Sequence, residues 1–231
     1  MADRLIETII GELPFFGPED AVCLGGVNWD QYRRAVKAQE ELGRRLQISY
    51  ASGRLEVLPN AFRTEVRRCL LRSFVCLSAE IFGQEMYVLG STTLAGRDRD
   101  YGFDPQESFC FRNLSRGVLD PQTGPGCGPP PDLVIEVENP KRASNRLPMC
   151  VRAGVPEVWF DDLDTLRILS LQPDQTYSVT DYSPAFPLIP SHDLNRFLSL
   201  AHTNEMTAVS REFRAYVESL MPTLAAPDGT I

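Results

Sequence analysis

One stretch of this chain constrains its fold more than any other: residues 129–161, which open with PPPDLVIEVENP. Leu133, Val134 and Ile135 form an apolar run without alternation, the pattern of a central strand covered on both faces. A short helix over 142–153 comes next, entered or broken at Pro148 and ended by Gly154. The segment 155–161, VPEVWFD, then reads as a second strand. Strand, helix and strand in this order make a crossover unit, whose two strands pair in parallel. The expected fold is α/β, with a central mixed sheet flanked by helices.

The rest of the chain supplies elements to place around that unit. Residues 1–27 read as a loosely attached arm, with Pro14, Pro18 and the Gly25-Gly26 pair breaking regular structure. Helical spacing of Tyr32, Val36, Leu42 and Leu46 predicts a helix over 29–46, with Asn28 as its cap. Alternation on either side of Ala51-Ser52-Gly53 predicts a hairpin. Val66, Leu70, Phe74, Leu77 and Ile81 mark a long amphipathic helix over 62–82, ended by Gly83. Short strands are expected at 86–89, 91–95 and 107–112, and a proline-stiffened loop over 115–131. Strands at 166–171 and 176–181 form an added antiparallel edge, and 192–221 is helical. The domain expected over 28–200 is thus followed by a C-terminal helix at 201–223 and a flexible tail at 224–231.

Composition narrows the class. At 231 residues, with 43% apolar and 23% charged residues, the chain buries a core without staples and is not disordered, collagenous or membrane-embedded. The net charge of -8 excludes a broad basic face, so any contact with nucleic acid must be local and metal-assisted. Cys23, Cys69, Cys76, Cys110, Cys127 and Cys150 show no CxxC spacing and read as free thiols of a reducing compartment. With no leader pattern and no apolar run near ~18 residues, the protein is expected to be soluble and cytoplasmic.

The chemistry centres on acidic residues. Period two puts Glu136 and Glu138 on one face of the strand, with Cβ atoms ~6.6 Å apart. Two carboxylates beside a dry core repel each other and lose hydration, and a divalent cation relieves both; the alternative is a strand end already in solvent. Asp104, before Pro105, is a turn former or a second acidic position. Asp132 opens the buried strand ~13 Å from Glu136, too far to share one metal, and fits a turn. Glu65 stands among Arg63, Arg67 and Arg68, either salt-bridged on a helix surface or aimed across the sheet edge. Arg146 lies on the crossover helix, where its cation can hold a phosphate or a water but cannot act as a general base. His192 and His202 do not share a helical face, and neither a GxSxG nor a GxGxxG pattern is present.

Taken in order, VNWDQYRRA, ISYASGRLEVLPNAFRTEV, LGSTTL, GFDPQESFCF, PPDLVIEVENP and NRLPMCVRAGVPEVW resemble the Uma-type family of restriction endonucleases, within the PD-(D/E)xK nuclease superfamily. The likeness spans about residues 28–200. It implies a restriction-endonuclease-like core and Mg²⁺-dependent hydrolysis of DNA phosphodiester bonds, with Mn²⁺ as a substitute ion. The family's Asp-Pro turn falls on Asp104 and its strand carboxylate on Glu136. Glu138 takes the place that many superfamily nucleases fill with lysine. The basic residue of the crossover helix falls on Arg146, and the glutamate of the first long helix on Glu65. Thr64 stands where that family often has histidine, and Asn145 where it often has an acid.

Together these lines assign a Mg²⁺ to Asp104 and Glu136, with the Val137 carbonyl as a third ligand. Glu138 orients or deprotonates the attacking water, Arg146 steadies the scissile phosphate, and Glu65 completes the metal shell through a water. The expected partner is DNA, and a homodimer suits double-strand cutting. Two other readings remain: a catalytically degenerate nuclease fold serving as a structural or protein-interaction module, and a metallohydrolase for small phosphoesters.

Overall fold

The computed structural model of the protein describes residues 22–42, 46–59, 62–96, 100–111, 129–138 and 146–225. The expectations for residues 1–21, for Cys127 and most of the 115–131 loop, for Asn145 and for the tail after 225 lie outside these described residues. In chain order the elements are β1 (Val22–Gly25), α1 (Trp29–Glu41), β2 (Leu46–Ala51), β3 (Arg54–Pro59), α2 (Phe62–Ile81), β4 (Tyr87–Val88), β5 (Leu94–Ala95), β6 (Tyr101–Phe103) and β7 (Glu107–Cys110). They continue with β8 (Leu133–Val137), α3 (Arg146–Ala153), β9 (Glu157–Asp161), β10 (Leu166–Leu171), β11 (Tyr177–Thr180), α4 (Ser191–Leu200) and α5 (Met206–Ala225).

The apolar run of β8 lies inside a six-stranded mixed sheet, ordered β11-β10-β9-β8-β7-β4, and all five of its residues are buried. β8 runs parallel to β9, with Ile135 opposite Trp159, and antiparallel to β7, with Ile135 opposite Glu107. The crossover unit read from the sequence is therefore present. α3 makes the connection, and Gly154 (φ +74) ends it in the left-handed conformation that glycine adopts without strain. β10 and β11 extend the sheet antiparallel from β9, as the added edge requires.

Alternation along β8 sorts the two faces. Leu133, Ile135 and Val137 join Leu70, Phe74, Trp159, Phe197 and Phe213 in the main core, beneath α2, α4 and α5. Val134 faces the other way, into a smaller core with Phe103, Met149, Cys150 and Val158 beneath α3. Glu136 shares the parity of Val134 and therefore the α3 face.

A second, five-stranded antiparallel sheet, ordered β1-β3-β2-β6-β5, packs its own core against α1 through Tyr32, Ala35, Ile48, Leu55 and Val57. Two of its strands leave no mark in the local residue pattern. Val22–Gly25, expected to lie in an irregular arm, pairs in register with β3 because that strand offers an open edge. Tyr101–Phe103 pairs with both β2 and β5, although three residues are too few to show a period. The helix from residue 29 ends at Glu41, short of the expected 46, and the helix expected over 192–221 is two helices separated by residues 201–205. Asn28 caps α1 as expected: its side chain accepts from the Gln31 N–H at 2.9 Å, and the Gln31 side chain accepts from the Asn28 N–H at 2.8 Å. No helix among the described residues is long and apolar enough to cross a membrane.

Candidate functional site

Where β6 leaves the small sheet and β7 enters the large one, the chain passes through Asp104, Pro105 and Gln106. β8 arrives alongside, with Glu136 on the α3 face. α3 begins at Arg146, whose guanidinium lies between these two pieces of chain. Its Nη1 donates to the Asp104 carbonyl at 2.6 Å and lies 3.4 Å from each oxygen of Glu136. Its Nε lies 3.9 Å from Oε1 of Glu138. Glu136 is 0% exposed and Arg146 1%, so the ion pair lies in the protein interior. Glu138 and Asp104 are only half-buried. The strand is therefore still inside the protein at Glu136, not emerging into solvent.

The electrostatics follow from that burial. Loss of hydration pushes the Glu136 carboxyl up to about 7. Arg146 opposes the rise, the neighbouring Glu138 charge adds to it, and a Gln106 backbone N–H also opposes it. Burial works against the charge of Arg146 too, but Glu136, Glu138 and Asp104 together outweigh it and hold its pKa up. The Arg146 guanidinium thus answers to the Glu136 and Glu138 carboxylates beside it and to the field of Asp104.

Two uncharged neighbours hold the frame. Gln106 is buried and brackets Val137 like a strand: its Nε2 donates to the Val137 carbonyl at 2.7 Å, and its Oε1 accepts from the Val137 N–H at 3.0 Å. The carbonyl expected as a metal ligand therefore already holds a hydrogen bond. Thr93 Oγ1 donates to Asp104 Oδ1 at 2.6 Å. Thr93 lies in the segment LGSTTL and Gln106 in GFDPQESFCF, but the residue types alone give neither a role, and that of Gln106 has meaning once the β7–β8 register is known.

Glu65 is placed elsewhere. Glu107 is opposite Ile135 in register and so lies on the α2 face of the sheet. Arg68 of α2 bridges Glu65 and Glu107, and Arg72 approaches Glu107 at 3.4 Å. Glu65 therefore belongs to a charged network on the face opposite Glu136. Also on the α2 face, Arg67 grips the buried Asp161 at the end of β9 with two bonds, of 2.5 and 2.8 Å. Asp132 accepts from the Phe111 N–H at 2.8 Å, a bond across to the end of β7 and not one within a local turn.

No family model matches the chain, and no curated protein matches it. Four chains of solved structure do. One, from Anabaena variabilis, is described as "a putative nuclease belonging to DUF820". It aligns at a TM-score of 0.45 and 14% identity, over 65% of this chain and 90% of that one.

Among the described residues no three of His, Cys, Asp and Glu converge as they do in a metal centre built wholly from protein. Mg²⁺ does not ask for that: it is commonly held by one or two carboxylates, with waters and substrate oxygens completing its shell. Asp104 and Glu136 carry hard oxygen donors, and the Asp104 backbone and the Glu136 carboxylate both contact the Arg146 guanidinium. The donor types at this place, two carboxylates, are ones that Mg²⁺ accepts.

Proposed function

We propose that this cluster hydrolyses phosphodiester bonds in DNA with the help of Mg²⁺. One observation supports this above the others. The backbone carbonyl of Asp104 and the carboxylate of Glu136, far apart in sequence, meet at the buried guanidinium of Arg146, which Glu138 also approaches. Asp104 and Glu136 would hold the ion. Mg²⁺ supplies neutralisation of phosphate charge and activation of a water. Glu138, less buried than Glu136 and on the same face, takes the proton of the attacking water. Arg146 is enclosed by the Asp104 carbonyl and the two glutamates, so it acts by fixing them and not by touching the phosphate. Glu65, on the opposite face, has no part in this scheme.

A supercoiled plasmid incubated with Mg²⁺ or Mn²⁺ tests the proposal. Wild type is expected to nick it, and Asp104→Ala and Glu136→Ala to lose at least about 100-fold in rate, on the order expected when charge stabilisation at the reacting centre is removed. Equal nicking by all three sinks the assignment. A second reading has an observation of its own. The bonds of Gln106 to the Val137 backbone and of Arg146 to Glu136 are also what a purely structural ion network needs. In that reading the fold is a degenerate nuclease serving as an interaction module, and Mg²⁺ leaves its melting temperature unchanged.

A further inference from the structure

Tyr32 projects from α1 toward this cluster, and packing does not account for its hydroxyl. The side chain is 2% exposed, and its oxygen makes no hydrogen bond of good geometry among the described residues. Yet the ring lies against Gly102, two residues before Asp104, which Thr93 holds, and Thr93, Asp104 and Arg146 all act on the hydroxyl. Its ring stacks on Tyr50 at 5.5 Å and tilts against Trp29 at 5.0 Å. Gly102 has no side chain where the two rings meet β6: a Cβ there would come within 2.9 Å of Tyr32 and 3.0 Å of Trp29. The ring is held, so the hydroxyl cannot swing to another partner. Phenylalanine would fill the same space without burying an unmatched donor, an arrangement native interiors nearly always avoid.

Thr93 supplies the missing acceptor. Its one hydroxyl proton goes to Asp104 Oδ1, so the lone pairs of Oγ1 remain to accept. We propose that Tyr32 and Thr93 are positioning residues that form a relay to Asp104: the Tyr32 hydroxyl donates to Thr93 Oγ1, and Thr93 donates to Asp104 Oδ1. The relay would close when a cation draws on the carboxylate, and it fixes the position of Oδ1. The small sheet and α1 thereby orient a residue of the site. This rests on the reading of Asp104 as a metal ligand.

The experiment titrates Mn²⁺ calorimetrically into wild type, Tyr32→Phe, Thr93→Val and the double variant, with melting temperature and plasmid nicking measured alongside. Tyr32→Phe is expected to melt no lower than wild type, because it removes an unmatched buried hydroxyl, and to weaken Mn²⁺ binding about tenfold, the loss of one bond in a charged network. Thr93→Val should weaken it at least as much, and adding Tyr32→Phe to Thr93→Val should change nothing further. Wild-type Mn²⁺ affinity in Tyr32→Phe, additive losses, or a lowered melting temperature in Tyr32→Phe overturns the relay. If wild type binds Mn²⁺ but nicks no plasmid, the nuclease reading falls, and the affinities alone decide the relay. If wild type binds no Mn²⁺, both are overturned.

Discussion

Glu136 gives the protein a pH signature of its own. Its carboxyl is pushed from an ordinary value of 4.5 up to about 7, first by burial, so the folded chain holds a proton that the unfolded chain releases in between. A raised acid pKa favours folding below about 4.5, and that contribution is lost as pH rises to and past about 7. With divalent ions chelated, the melting temperature is expected to fall between about pH 5 and about pH 8. Glu136→Gln should remove most of that fall and stabilise the protein at the alkaline end; an unchanged pH slope in the variant would show that Arg146 satisfies the carboxylate after all. At this scale the sequence was informative where residues follow a period. Glu136 and Glu138 could be placed together because a strand alternates. Tyr32, Thr93 and Gln106 could not, since each reaches the cluster from a separate element and none carries a charge to betray it.

Among the elements, α1 and β6 show most clearly what local pattern leaves out. α1 was legible from its apolar spacing and its Asn28 cap, whereas β6 is short, and its role lies in pairing with β2 and β5. Gly102 sits in the middle of β6, with the Trp29 and Tyr32 rings pressed against its bare backbone. Gly102→Ala is expected to force α1 off this strand and cost about 1–3 kcal/mol, the usual range for overfilling a packed core. Urea denaturation monitored by tryptophan fluorescence checks this, and an unchanged midpoint would mean that the rings give way freely. The central strand is the opposite case. β8 was legible because burial on both faces leaves an uninterrupted apolar run, and its neighbour β9 followed from the crossover. Which helix covers which face was not legible, and this is why Glu65 could be read as part of the same site when it lies across the sheet.

For the whole molecule, charge sets the terms of any encounter with DNA. The chain has 31 acidic against 23 basic residues, and Arg63, Arg67, Arg68 and Arg72 of α2 are each paired to an acid or a backbone carbonyl, so α2 presents no free row of cations to phosphates. The salt dependence of DNA binding is therefore expected to be shallow, with log K falling against log salt at a slope of about -2, as for about two neutralised phosphates. Fluorescence anisotropy with a labelled duplex in Ca²⁺ measures it, and a slope steeper than about -5 would reveal a basic surface. The mixed architecture was legible at this scale because the crossover unit dictates it. The second sheet was not, since its strands come from separated stretches of chain.

Asp104 stands where the polypeptide steps from β6 of one sheet to β7 of the other, while Glu136 belongs wholly to the larger one. The gap between these two acids is therefore a gauge of how the sheets sit against each other. Substitutions in the small sheet that never approach a carboxylate still alter the span between the two acids, and evolution can retune such a pair by remodelling its scaffold while leaving every acidic side chain in place.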